Sequence, residues 1–220
     1  RMIQSLLDAL ILSQRNIAQA RVLMESVDGA VIPEDRQAVF KEFQDQLPTV
    51  EESVDDAVEY AQFFGGLVGS DRVQRYILLF QNNTELRPTG GFPGTYGVIT
   101  FEKGKLVDFK VDDIYNLDGQ QKKMVIPPQA MQHITPTWGM RDANWFIDFP
   151  TSAQKVAQFY RDISGQSVDG VITVTPGMVA EMVDVLGPIE MPAYGLTLDG
   201  KNFLAEIQAE VEYGPNRVQP

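Results

Sequence analysis

The residues of this 220-residue sequence best suited to chemistry stand in one short run, Glu85-Leu86-Arg87-Pro88-Thr89-Gly90-Gly91-Phe92-Pro93-Gly94-Thr95. Its two prolines fix φ and remove donors, and its three glycines allow positive φ and close backbone approach, so the run has a specified shape. Arg87 is set inside it. A guanidinium held where glycines leave backbone N–H groups free suits a phosphate or a carboxylate. The alternative is a tight sheet connection in which Arg87 pairs with Glu85 or another acid. Downstream, Asp112-Asp113 close a strand pattern. Adjacent strand residues point to opposite faces, so at most one of these carboxylates can look into a common site. Such a group holds a metal or takes part in catalysis on one reading, and caps a loop or meets solvent on the other. Further on, Arg141-Asp142-Ala143-Asn144-Trp145 places an arginine, an acid and an aromatic close to a helix start. A Trp beside hydrogen-bonding groups suits a sugar face, and equally a buried indole with a satisfied N–H.

The elements around these residues have to position them. Tyr76 to Phe80 is a short apolar run rich in β-formers, suited to a strand buried on both faces. Val98 to Glu102 and Lys105 to Val111 flank Lys103-Gly104 as a hairpin, with Val107, Phe109 and Val111 on a core face and Asp108, Lys110 and Asp112 on a wet one. Asn116 to Trp138 is irregular and is expected to cover strand ends. Thr151-Ser152-Ala153-Gln154 reads as a capping box for a helix that Gly165 ends, and Val171 to Val174 as a short buried strand. Thr175-Pro176 opens another helix, which Gly187-Pro188 stops. Ile189 to Met191 adds a short edge strand, and Asp199 caps a helix carrying Phe203, Leu204, Ile207 and Val211, ended by Gly214-Pro215. Helix, strand, helix in that order implies crossover connections, hence an α/β fold: a mixed sheet with flanking helices.

Residues 1–68 are different. Ile3, Leu10, Ile17 and Met24 recur every seven residues, predicting an amphipathic helix to about Val27. Phe40, Phe43, Leu47, Val50, Val54, Ala57, Ala61 and Phe64 mark a second, with Pro48 expected to kink or break it near Asp45 to Leu47. Together they predict a helical hairpin that packs on itself and the sheet, or serves as a stalk or a surface for a partner helix. Gly65-Gly66 and Gly69-Ser70-Asp71 mark its boundary with an α/β domain over 72–220.

Composition narrows the function classes. A formal net charge of −12 with no compensating basic stripe argues against nucleic acid as a partner. Any anionic ligand must be held by a local cluster. Zero cysteines remove disulfides and thiolate metal sites, and one histidine, His133, removes multi-histidine zinc; it reads as a surface or loop residue. There is no Walker loop or dinucleotide fingerprint.

The string Phe80-Gln81-Asn82-Asn83-Thr84-Glu85-Leu86-Arg87-Pro88-Thr89-Gly90-Gly91-Phe92, followed by Gly94-Thr95-Tyr96-Gly97 and by Arg141-Asp142-Ala143-Asn144-Trp145, resembles the bacterial domain of unknown function 4012 over about Arg75 to Tyr213. The order of elements, ending in Asp184-Val185-Leu186-Gly187-Pro188-Ile189-Glu190-Met191-Pro192, is also similar to the LytR-CpsA-Psr family of cell-wall glycopolymer transferases. That likeness implies transfer of a glycan from a polyprenyl pyrophosphate carrier, with arginines on the pyrophosphate and a carboxylate-held divalent cation such as magnesium. By position it implies Arg87 and Asp113 as the catalytic pair; the expected site built around them adds Asp113 or Asp142 on the metal, and Asn82, Asn83, Thr89, Thr95, Arg141, Asp142 and Trp145 as binding residues. Three departures accompany it: Asn82 and Asn83 replace an Asp, Gly94-Thr95 replaces Asp-Thr, and Asp112 replaces the Arg before Asp113. The resemblance further implies an extracytoplasmic cell-envelope protein, anchored to the membrane by a segment upstream of the sequence. No closing element follows Gly214-Pro215, so part of the domain is expected to lie past residue 220. The expected function is binding of a phosphorylated or polyprenyl-pyrophosphate-linked glycan, with transfer to the cell wall as the enzymatic reading. A non-catalytic envelope scaffold or a glycan- or protein-binding module is the alternative.

Overall fold

A computed structural model describes residues 2–213 and divides the chain into two compact units, 1–74 with 100–107, and 75–99 with 108–220. The predicted helix stop at Gly214-Pro215 lies outside the described residues.

The first unit is built on α1 (Met2–Glu25) and α2 (Glu34–Leu67), joined through a 3-10 turn at Gly29–Val31 that the Asp28 carboxylate caps by accepting from Ala30 N–H. Gln14 donates to Asp55 at 2.8 Å and Arg21 pairs with Glu51 at 3.1 Å, which sets the helices antiparallel. Pro48 lies inside α2, so the expected break is absent and the helix continues through it. Both Pro48 and Gln44, the carbonyl that loses its donor, are on the exposed side, where water replaces the missing bond. The hairpin buries little: Val58 and Gly65 are the buried residues of α2, while Phe43, Tyr60, Phe63 and Phe64 are exposed. At its far end the Lys103-Gly104 turn docks on the end of α2, with Lys103 N–H donating to Gly69 O at 2.7 Å and Gly104 N–H to Val68 O at 3.0 Å.

The second unit is α/β. The strands β1 (Gln74–Asn82), β2 (Phe92–Glu102), β3 (Lys105–Asp113) and β4 (Gly170–Val174) form a mixed sheet in the order β3-β2-β1-β4, with β1 and β4 parallel and Leu78 opposite Ile172. Between these parallel strands run α3 (Ile114–Asp118) and α4 (Phe149–Ser164), the crossover that the sequence implies. The core lies on one face of the sheet, where Ile77, Leu79, Tyr96 and Val98 meet Ile114, Leu117, Val156, Phe159 and Tyr160. Each large side chain fully buried there contributes about 1.5–3 kcal/mol of transfer free energy.

Several local expectations are corrected. Helix α4 begins at Phe149, because Asp148, accepting from Thr151 N–H at 2.9 Å, is its cap. Ile189–Met191 (β5) does not edge the main sheet: it pairs antiparallel with Leu196–Leu198 (β6) in a separate two-stranded sheet. Helices α5 (Pro176–Leu186), capped by Thr175, and α6 (Phe203–Tyr213) pack together. Val107, Phe109 and Val111 are not core: they are 54%, 50% and 55% exposed, on an edge strand whose apolar side faces away from the packed cluster.

Candidate functional site

The loop after β1 takes its shape from short-range bonds. Asn82 O accepts from Glu85 N–H, and Glu85 O from Phe92 N–H, at 3.2 and 3.1 Å; the Asn82 side chain accepts from the N–H and hydroxyl of Thr84. Gln81, buried, donates to the Thr89 hydroxyl at 3.0 Å. Gly91 packs so closely on the backbone of Asn82 and Asn83 that a Cβ there would overlap it. The glycines thus serve chain-on-chain packing as well as turning. Arg87 is two-thirds covered, stacked over the Phe92 ring at 5.1 Å and paired with Asp142 at 3.6 Å. Its receiver is therefore a carboxylate of the protein, Asp142 rather than Glu85 or Asp113.

Arg141 reaches the same carboxylate from the other side, at 3.4 Å, which sets Arg87 and Arg141 against one acid. Asn144 strengthens the junction: 2% exposed, it donates to Gly91 O at 2.8 Å and ties the Arg141 segment to the glycine loop. Asp118 at the end of α3 is the second anchor. Its carboxylate, 5% exposed, accepts from Met140 N–H at 2.7 Å and Arg141 N–H at 3.3 Å, and lies 3.4 Å from the Arg141 guanidinium, which also stands over the Tyr115 ring. A Cβ at Gly139 would fall on this carboxylate, so glycine is what lets Asp118 approach. Burial pushes the Asp118 pKa above the usual 3.8; the Met140 and Arg141 N–H groups and the Arg141 charge oppose the shift, and Asp142 adds to it.

Beside this anchor lies an open cavity of about 290 Å³, lined by Asp118, Gln121, Lys122, Lys123, Met124, Thr137, Gly139 and Arg141. Three cations and one carboxylate line it, in a chain whose net charge is −12. Gln121 holds the wall in place by donating to Lys123 O and Trp138 O. The two exposed ammonium groups can hold a phosphate, a sulfate or a carboxylate, next to a guanidinium that Asp118 and Asp142 already pair.

The other expected site residues take separate places. Asp113 caps α3, accepting from Tyr115 N–H at 2.7 Å, and Asp112 accepts from Asp113 N–H and the Asn116 amide. Asp142 stands between two guanidinium groups, surroundings that repel a cation. Among the described residues no three His, Cys, Asp or Glu side chains come together as a metal set. Asn82 and Asn83 are exposed, Thr95 is half-buried on β2, and Thr89 serves Gln81. Trp145 packs part of its ring on the core, whereas Trp138 is the buried indole, donating to Asp142 O at 2.9 Å. His133 is exposed between secondary elements. The sequence reading passed over Asp118, Lys122, Lys123, Gly139 and Asn144. The Lys122-Lys123 pair was visible as a basic doublet in an acidic chain; Asp118 becomes meaningful only against Gly139.

The family described as "Protein of unknown function (DUF4012)" matches residues 71–211, which hold all of these side chains. Neither a curated protein nor a solved structure matches the chain.

Proposed function

This chain belongs to the DUF4012 family, and on that premise we propose that it is a cell-envelope domain that binds a phosphorylated or polyprenyl-pyrophosphate-linked glycan without transferring it. The observation that carries the proposal is the cavity walled by Lys122, Lys123 and Arg141, a local positive cluster on an acidic protein. Clustered cations in a concave site concentrate an anion that the rest of the surface repels. A binding role also fits the pairing of Arg87 with Asp142, which already satisfies the guanidinium that a transferase would need on its pyrophosphate. The extracytoplasmic setting and the membrane attachment upstream of the sequence belong to the proposal through the likeness to glycopolymer transferases; among the described residues no helix is long and apolar enough to cross a membrane.

Calorimetric titration with a short-chain prenyl pyrophosphate and with inorganic pyrophosphate tests it. The wild type binds both, and the Lys122→Ala/Lys123→Ala double variant loses about tenfold or more in affinity, the equivalent of about 1.4 kcal/mol, with an unchanged melting temperature. Arg87→Ala keeps its affinity. Binding unaffected by the double variant removes the cavity from the proposal, and loss of binding in Arg87→Ala alone would favour the transferase arrangement.

A further inference from the structure

Among the described residues the sheet ends at β3, and β3 is open along its length, with eight of its nine residues exposed. An uncovered edge presents unpaired N–H and C=O groups and is a template for another strand. We propose that this edge pairs antiparallel with β3 of a second copy about a two-fold axis at Phe109, which joins the two sheets into one across a homodimer. The surface shares no residue with the Lys122, Lys123 and Arg141 cavity, and the proposal does not depend on what that cavity binds.

The order of residues along the strand, Lys105-Leu106-Val107-Asp108-Phe109-Lys110-Val111-Asp112-Asp113, is complementary to its own reverse. With Phe109 opposite Phe109, Asp108 faces Lys110 of the second copy and Lys110 faces its Asp108. Val107 meets Val111, and Lys105 meets Asp113. Opposite charges and apolar pairs set directly across an antiparallel ladder stabilise it, and like charges there destabilise it. Shifting the register by two residues in either direction puts Asp108 against Asp108 or Lys110 against Lys110, and parallel in-register pairing opposes every charge with its like.

In the Phe109-centred register, as in any that differs from it by an even number of residues, residues whose N–H and C=O point outward meet residues of the same kind, so the backbone ladder can form and the side chains choose the register. Phe109 lies against Gly97 on the side of the sheet away from the packed cluster. Pairing there adds the apolar row Val107, Phe109 and Val111 of one copy to that of the other. A closed two-fold contact uses the edge of each copy once and leaves no β3 edge for further growth.

Sedimentation equilibrium of the full chain at physiological ionic strength, where repulsion between two acidic chains is screened, reads the association directly. The wild type sediments as a dimer that dissociates on dilution. Asp108→Lys and Lys110→Glu each weaken the dimer by about tenfold or more, because each places like charges opposite one another twice. Combining the two substitutions restores it, with thermal melts confirming that each variant is folded. The chain has no cysteine, which makes cross-linking clean. Phe109→Cys places two Cα atoms about 4.5–5.5 Å apart across the axis, within disulfide range, and oxidises to a covalent dimer far faster than Leu106→Cys, whose partner is Asp112. A wild type that remains monomeric at every concentration, or equal cross-linking at 106 and 109, overturns the proposal.

Discussion

Arg87 and Arg141 share the carboxylate of Asp142, but of the two it is Arg141 that lines the cavity with Lys122 and Lys123. Arg87 sits in the loop with the more suggestive sequence, and the fold closes over it with Phe92 and Asp142. Arg141 comes from a short 3-10 turn, Met140–Asp142, yet it is fixed by Asp118 on one side and lines a cavity with Lys122 and Lys123 on the other. The difference teaches that a glycine-rich loop around an arginine serves equally to let two chain segments pack in contact. What separates the two arginines is their company rather than their charge balance: Arg141 has two carboxylate partners to the one of Arg87, but it lines a cavity beside Lys122 and Lys123.

The largest expected effect tests the structural half of that comparison. Gly91→Ala forces a Cβ into the Asn82 backbone, which cannot yield as a side-chain tip can, and should cost about 3 kcal/mol in denaturant unfolding, the upper end for overpacking. An unchanged midpoint would mean that the Arg87 loop is adaptable and its glycines are free for a ligand. Gly139→Ala probes the other region. By evicting the Asp118 carboxylate it should lower stability by about 1–3 kcal/mol and weaken pyrophosphate binding as well, since Arg141 loses its anchor. Retained binding in a destabilised protein would show that the lysines suffice.

Arg87→Ala should cost about 1 kcal/mol, from a partly exposed ion pair and one cation–π contact, because Asp142 keeps Arg141. A loss several times larger would make Arg87 a main support of the fold. The smallest effect concerns protons, and its sign differs between two capping acids. Burial raises the Asp118 pKa above its unfolded value, so its share of stability is fully present below about pH 3.8 and is lost as pH rises through the raised folded value. Asp148 is opposite: the Thr151 hydroxyl and N–H lower its pKa, so its share is present above the unfolded pKa and is lost as pH falls through the depressed folded value. Unfolding curves of Asp118→Asn and Asp148→Asn against wild type across the acid range should diverge in opposite directions. Parallel curves would remove the burial of Asp118 from the account of the site.

By itself the sequence determined the parts whose physics is local. Heptad spacing from Ile3 to Met24 made α1, Lys103-Gly104 turned the β2–β3 hairpin, Thr175-Pro176 opened α5, and Gly165 and Gly187 ended their helices, each through an interaction a few residues long. The order of strands and helices carried the mixed α/β sheet, because a parallel pair requires a crossover. Helix α2 shows where local rules yield: Pro48 breaks an isolated helix, but its orphaned carbonyl reaches water here while Leu47, Val54 and Ala57 sit on the half-buried side. Only tertiary structure decided the site. Asp142 became the partner of Arg87, Asp118 the anchor of Arg141, and Asn144 the tie to Gly91, across 55, 23 and 53 residues respectively. Pairings over such distances follow from how β1, α3 and the 3-10 turn before α4 converge at one end of the sheet, and no spacing in the chain encodes them. The same holds for β3, whose alternation reads as half-buried until the strand order places it at an edge with its apolar side uncovered.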